Sequence, residues 1–172
     1  MRNLNNIYLG TLLIASLIRS VGLHAEPIVE TNKLDASPAE HIAVDVYKSP
    51  NCGCCEKWID HIKQAGFKAT IHHPPTLNAL KSKLGLPQAA QSCHTAVTEQ
   101  GFIFEGHVPS KFMTQFTQNP PKEAMGLAVP KMPVGSPGME MGDRFQPYTI
   151  KQLNKDGSVQ DYAEMENYKM QF

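Results

Sequence analysis

Residues Ile42–Gly66, IAVDVYKSPNCGCCEKWIDHIKQAG, contain the change of hydrophobic period that decides the fold. Ile42, Val44 and Val46 alternate as a strand requires, and Ser49-Pro50-Asn51 breaks the run. From Cys54 onward the period is helical, with Cys55, Trp58, Ile59, Ile62 and Ala65 on one face and Gly66 placed as the C-cap. The segment is a strand-loop-helix unit with Cys52, Cys54 and Cys55 crowded at the helix start.

The pattern continues outward from this unit. A short strand is expected over Phe67–His72, and Thr76 is a good N-cap for a small helix that carries Leu77, Leu80 and Leu84 and closes at Gly85. CHTAVTEQGFIFEGHV, residues 93–108, reads as two strands about the turn Glu99-Gln100-Gly101. A helix from about Ser110 to Phe116 would bury Phe112, Met113 and Phe116. Strand, helix, strand, short helix, hairpin, helix is the order of a thioredoxin-like α/β domain, a sheet flanked by helices. Pro121 is placed to open one further helical turn. Val129–Gly142, VPKMPVGSPGMEMG, is rich in Pro, Gly and Met without being polar, so it reads as an ordered loop rather than a linker. A terminal hairpin, Tyr148–Leu153 and Val159–Tyr162 around Lys155-Asp156-Gly157, would extend the sheet edge.

The chain has 172 residues and a formal net charge of zero. Its first 25 residues hold Arg2, an apolar run from Ile7 to Ile18 and Ala25 before Glu26, the layout of a cleaved signal peptide. That run is short for a membrane span and no second one follows, so no span is expected after cleavage. Removing 25 of 172 residues leaves 147, with 14 basic against 16 acidic side chains, a charge of −2 and no basic footprint for nucleic acid. Residues 26–40 lack an apolar period and read as a flexible leader. Residues 41–172 are then expected to form a single thioredoxin-like domain.

In an exported protein four cysteines default to disulfides, for example Cys52–Cys55 with Cys54–Cys93. A disulfide across so short a loop constrains little of the unfolded chain. Cys52 and Cys55 also have the C-x-x-C spacing of a redox pair, in which the helix N-terminus favours a thiolate, but Cys54 beside them invites scrambling. Three thiolates in four residues suit a soft ion, and Cu(I) is the softest common candidate. Zinc fits less well, because one tetrahedral ion needs more widely spaced sulfurs than this turn offers. Several Cu(I) ions bridged by shared thiolates fit the crowding more easily. In a thioredoxin-like threading, Cys93 stands where a cis-proline normally screens the C-x-x-C pair, so a fourth sulfur replaces the screen.

Other soft or borderline donors lie in the same part of the chain. Met132, Met139 and Met141 fall on the irregular loop, with Met139 the best placed for copper; Met113 and Met125 fall at helical apolar positions and read as core. His94 adjoins Cys93 and His107 closes the hairpin, so both are candidates to bind metal or to support its ligands. His61, His72 and His73 read as ordinary surface.

The set YKSPNCGCCxxW, SCHTA, EGHVP and GLAVPxMPxGSPGME resembles the CopG-type periplasmic copper-resistance proteins over about Val44–Tyr162. The resemblance implies a thioredoxin-like fold, Cu(I) bound by Cys52, Cys54, Cys55 and Cys93, and a redox role in copper homeostasis in the periplasm of Gram-negative bacteria. His94, His107, Met132 and Met139 belong to the same motif set. Copper ions, and with them a copper efflux system or a periplasmic redox partner, are the implied partners. Carrier and enzyme both remain open, the enzyme being a copper-dependent or thiol-disulfide oxidoreductase acting through Cys52 and Cys55.

Overall fold

The computed structural model describes residues 41–172, so the expected signal peptide (1–25) and leader (26–40) lie outside the described residues. The elements are β1 (Ala43–Lys48), α1 (Gly53–Gln64), β2 (Lys68–His72), α2 (Leu77–Lys83), β3 (His94–Thr98), β4 (Ile103–Gly106), α3 (Ser110–Gln118), β5 (Ala124–Val129), β6 (Tyr148–Asn154) and β7 (Val159–Met165). Single 3-10 turns occupy Gln88–Ala90 and Tyr168–Gln171. The seven strands form one mixed sheet in the order β2-β1-β3-β4-β5-β6-β7. β1 pairs parallel with β2, and β4 parallel with β5; the other neighbours are antiparallel.

Strand direction gathers the site. Lys48, the last residue of β1, lies opposite His94, the first of β3, so the loop leaving β1 and the loop entering β3 share one end of the sheet. Gly106 at the end of β4 is paired with Val129 at the end of β5, which brings His107 and the Pro- and Gly-rich loop to that same end. Side-chain alternation separates two cores. Val44, Val46, Phe104 and Leu127 pack with Trp58, Ile59 and Ile62 of α1 and with Phe112, Met113 and Phe116 of α3. Ile103, Ala128 and Leu153 point to the opposite face and pack with Leu86 and Ala90.

Several local expectations require correction. The segment after Pro121 makes one turn, closed by the Ala124 N–H on the Pro121 carbonyl, and then becomes β5 rather than a helix. Gly126 makes this pairing possible, because a Cβ there would lie 1.8 Å from the Ile103 carbonyl oxygen. Met125 consequently sits half-buried on a strand instead of in a helix core. Leu77, Leu80 and Leu84 are only half-buried, and the fully buried residue of α2 is Lys81. The terminal hairpin extends the sheet as expected, through β5, and its strands run on to Asn154 and Met165. No helix among the described residues is long and apolar enough to cross a membrane.

Candidate metal centre

Cys52 is the N-cap of α1, with extended backbone and no side-chain hydrogen bond capping the first turn. The loop that carries it is held from below by Lys48. This lysine is fully buried; its ammonium donates to the Ser49 carbonyl at 2.9 Å and pairs with the Glu56 carboxylate at 2.7 Å. Cys55 points into the core and is bonded to Cys52 as a disulfide, while Cys54 and Cys93 are free thiols. Of the example pair Cys52–Cys55 and Cys54–Cys93, the first is present and the second is not. The Cys52 and Cys54 sulfurs are 3.6 Å apart, and one sulfur from each of Cys52, Cys54, Cys55 and Cys93 lies within 4.8 Å of the others.

Cys93 also belongs to a second group, with His94 and His107. Nδ1–H of His107 donates to the Pro137 carbonyl at 2.7 Å, which leaves the Nε2 lone pair facing the Cys93 sulfur at 3.1 Å. Burial holds the His107 pKa below its ordinary value, so the ring is neutral and the lone pair available at neutral pH. Nδ1 of His94 lies 3.2 Å from the same sulfur, and its buried Nε2 lacks a well-formed hydrogen bond. The His94 ring packs 4.2 Å from Trp58, whose indole N–H is anchored on the Val108 carbonyl at 2.8 Å. Burial, with the Cys54 thiol beside it, pushes the Cys93 pKa up to about 12. Without metal Cys93 is a neutral thiol, and a soft cation binding there must displace its proton.

The Pro- and Gly-rich loop lies against this cluster. Gly138, at φ +88°, approaches α1 so closely that a Cβ would sit 2.7 Å from both the Cys54 carbonyl oxygen and the Trp58 nitrogen. Met139 follows it and is half-buried, whereas Met132 and Met141 are 47% and 48% exposed. The loop is ordered as expected, with turns closed by the Ser136 and Pro133 carbonyls. Met113 is buried core on α3. His72 and His73 lie at the end of β2, where His72 meets Asp45 at 2.7 Å on the surface. His61 departs from its surface reading. Its Nε2 accepts the Ser110 N–H at 3.0 Å and so caps α3 in place of the missing side-chain cap.

Comparison with solved structures gives "Copper resistance protein copG- Form 2" at 44% identity and a TM-score of 0.69, covering 73% of this chain and 99% of that one. The same protein's "Form 1" matches at 44% identity and a TM-score of 0.68, covering 73% and 98%. The chain belongs to the CopG copper-resistance family. A family model described as "Protein of unknown function, DUF411" matches residues 90–139, a span that holds Cys93, His94, His107 and the methionine loop but begins after CGCC. No curated protein matches the sequence. This CopG-family chain brings together the four cysteines and two of the histidines singled out from sequence, and places Met139 on the loop beside them. Sequence reasoning missed the residues that hold the cluster: Lys48, Lys81, Ser92 and Glu105. The available signal was Glu105, a carboxylate inside the otherwise apolar run Phe102–Phe104 and Val108, where a strand buried on both faces has no ordinary use for one.

Proposed function

We propose that the chain is an exported copper-handling protein, in which a thioredoxin-like core built from β1-α1-β2 and β3-β4-α3 presents four cysteines to Cu(I) as cargo. The observation that carries this reading is the convergence of four sulfurs within 4.8 Å, two of them on Cys54 and Cys93 outside the C-x-x-C pair. Such crowding suits several cuprous ions sharing thiolates, and imidazole nitrogens at His107 and His94 add donors that copper accepts. Zinc is disfavoured by the same crowding. Met139 is the nearest thioether in sequence to the loop's contact with α1 and is the favoured methionine donor, ahead of Met132. Residues 1–25 would direct export to the periplasm and be cleaved, leaving residues 26–40 as a flexible leader, which fits a protein that meets copper in an oxidising compartment.

The Cys52–Cys55 disulfide adds a redox step to this reading. Cys52 and Cys55 thiolates each give up one electron as their S–S bond forms, and two Cu(II) ions each gain one to become Cu(I). A periplasmic dithiol reductant returns the pair to thiols through exchange. The disulfide also favours a second reading, a protein thiol-disulfide oxidoreductase with Cys52 as the more exposed attacking sulfur and buried Cys55 resolving. Reduced protein lacking the first 25 residues, loaded with Cu(I) under nitrogen and desalted, separates them. Retained copper that is lost in Cys93→Ser supports copper handling; no retained copper, with disulfide reductase activity in the metal-free protein, supports the second reading. A passive buffer delivering Cu(I) to an efflux system would retain copper and show no copper-linked disulfide formation.

A further inference from the structure

The loop that carries Cys93 is held by an ion pair buried on both sides, whereas on the CGCC side the buried Lys48 pairs with an exposed partner, Glu56. Lys81 of α2 is 1% exposed and Glu105 of β4 is fully buried, and their side chains are in direct contact. Both are spent on Ser92. The Lys81 ammonium donates to the Ser92 carbonyl, and Glu105 Oε1 accepts the Ser92 N–H at 2.6 Å. Glu105 Oε2 accepts the Thr95 hydroxyl at 2.7 Å, so the carboxylate grips the chain on both sides of Cys93 and His94. Ser92 Oγ in turn donates to the Lys131 carbonyl, at the start of the methionine loop. Gly106 makes room for this, because a Cβ there would lie 2.6 Å from the Ser92 side chain and from the Val129 carbonyl.

A buried ion pair is a poor device for stability alone, since desolvation offsets most of its attraction and an apolar pair of similar volume does as well or better. Its directional hydrogen bonds supply what apolar packing lacks, a fixed backbone position for one residue. We propose that Lys81 and Glu105 are positioning residues for the metal centre: by clamping Ser92 they hold the Cys93 sulfur within reach of Cys52, Cys54 and Cys55 and of His107 Nε2. This inference rests on the copper reading of the cysteine cluster. The clamp acts on Cys93 whether Cys52 and Cys55 are bridged or open, because none of its contacts touches α1.

The test uses the reduced mature protein and the double variant Lys81→Met/Glu105→Leu, which removes both charges together and avoids an unpaired one. Thr95→Val, which removes one hydroxyl from the clamp, serves as a second variant, and Cys93→Ser as the reference. Cu(I) affinity and thiolate-to-copper absorption are read in competition with a chromophoric Cu(I) chelator. A metal-free readout is the alkylation rate of Cys93 in Cys54→Ser protein with the Cys52–Cys55 disulfide formed, where Cys93 is the one free thiol. The expected result is an about 10–100-fold loss of Cu(I) affinity in the double variant, an absorption spectrum moved toward that of Cys93→Ser, and faster Cys93 alkylation. Thr95→Val shifts all three in the same direction by less. Wild-type affinity, spectrum and alkylation in the folded double variant, or in Thr95→Val if the double variant does not fold, would overturn the positioning role. If Cys93→Ser itself binds copper as the wild type does, the copper reading fails first, and the inference falls with it.

Discussion

The two halves of the centre are built in opposite ways. Cys52, Cys54 and Cys55 sit on one turn at the start of α1, with two of the sulfurs joined in a disulfide. Cys93 and its histidines sit on strand ends, with Ser92 clamped by Lys81 and Glu105, His107 fixed on Pro137 and His94 packed on Trp58. In the proposed copper chemistry the first half would change its bonding while the second holds still. On that proposal both are needed, since a redox change in the first half would otherwise displace the partner sulfur in the second.

The contrast predicts a graded set of effects. Glu105→Leu alone leaves the Lys81 charge buried without its partner, and should cost about 3–5 kcal/mol of unfolding free energy in urea titrations. A loss below about 1 kcal/mol would show that water reaches Lys81 and that this half is less rigid than described. Gly138→Ala should cost about 1–3 kcal/mol, because φ +88° and contacts of 2.7 Å with Cys54 and Trp58 both oppose a side chain. It should also loosen the loop over CGCC, seen as faster alkylation of Cys54. Reducing Cys52–Cys55 should cost at most about 2 kcal/mol, as its sulfurs belong to residues only three apart. A larger loss would make the disulfide a structural element and erase the distinction between the halves.

The smallest effect expected lies outside the centre. His61→Ala removes the acceptor for the Ser110 N–H and should cost about 1 kcal/mol at neutral pH. Burial lowers the pKa of His61 below its ordinary 6.5, so folding favours its neutral form. Its contribution is therefore complete above about pH 6.5 and is lost as pH falls, because the unfolded chain binds the proton more readily. Stability measured between pH 7 and pH 5 should fall less steeply in His61→Ala than in the wild type.

The legible part of this molecule was the part made by local period and by chemical oddity. The alternation of Ile42, Val44 and Val46, the helical face of Trp58, Ile59 and Ile62, and the turn at Gly101 gave the first four strands and three helices almost in register. CGCC and Cys93 stood out because sulfur is rare and spacing carries chemistry. β5 was not legible, since its place beside β4 depends on Gly126 fitting under the Ile103 carbonyl, a contact between residues 23 apart in the chain. Lys81 and Ser92 were hidden for the same reason. Each is an ordinary surface residue until the fold buries it, and only long-range pairing turns a lysine among half-buried leucines into a clamp. His61 likewise caps a helix that begins 49 residues later.

The most direct test of the central claim is an anaerobic Cu(I) titration of the reduced protein lacking its first 25 residues, with Cys54→Ser alongside, following thiolate-to-copper absorption and bound metal. A shared four-sulfur copper site requires tight binding of more than one copper per chain, with the stoichiometry falling when Cys54 is replaced. Weak binding, or tight binding indifferent to Cys54, would contradict it and leave the Cys52–Cys55 disulfide as the primary chemistry.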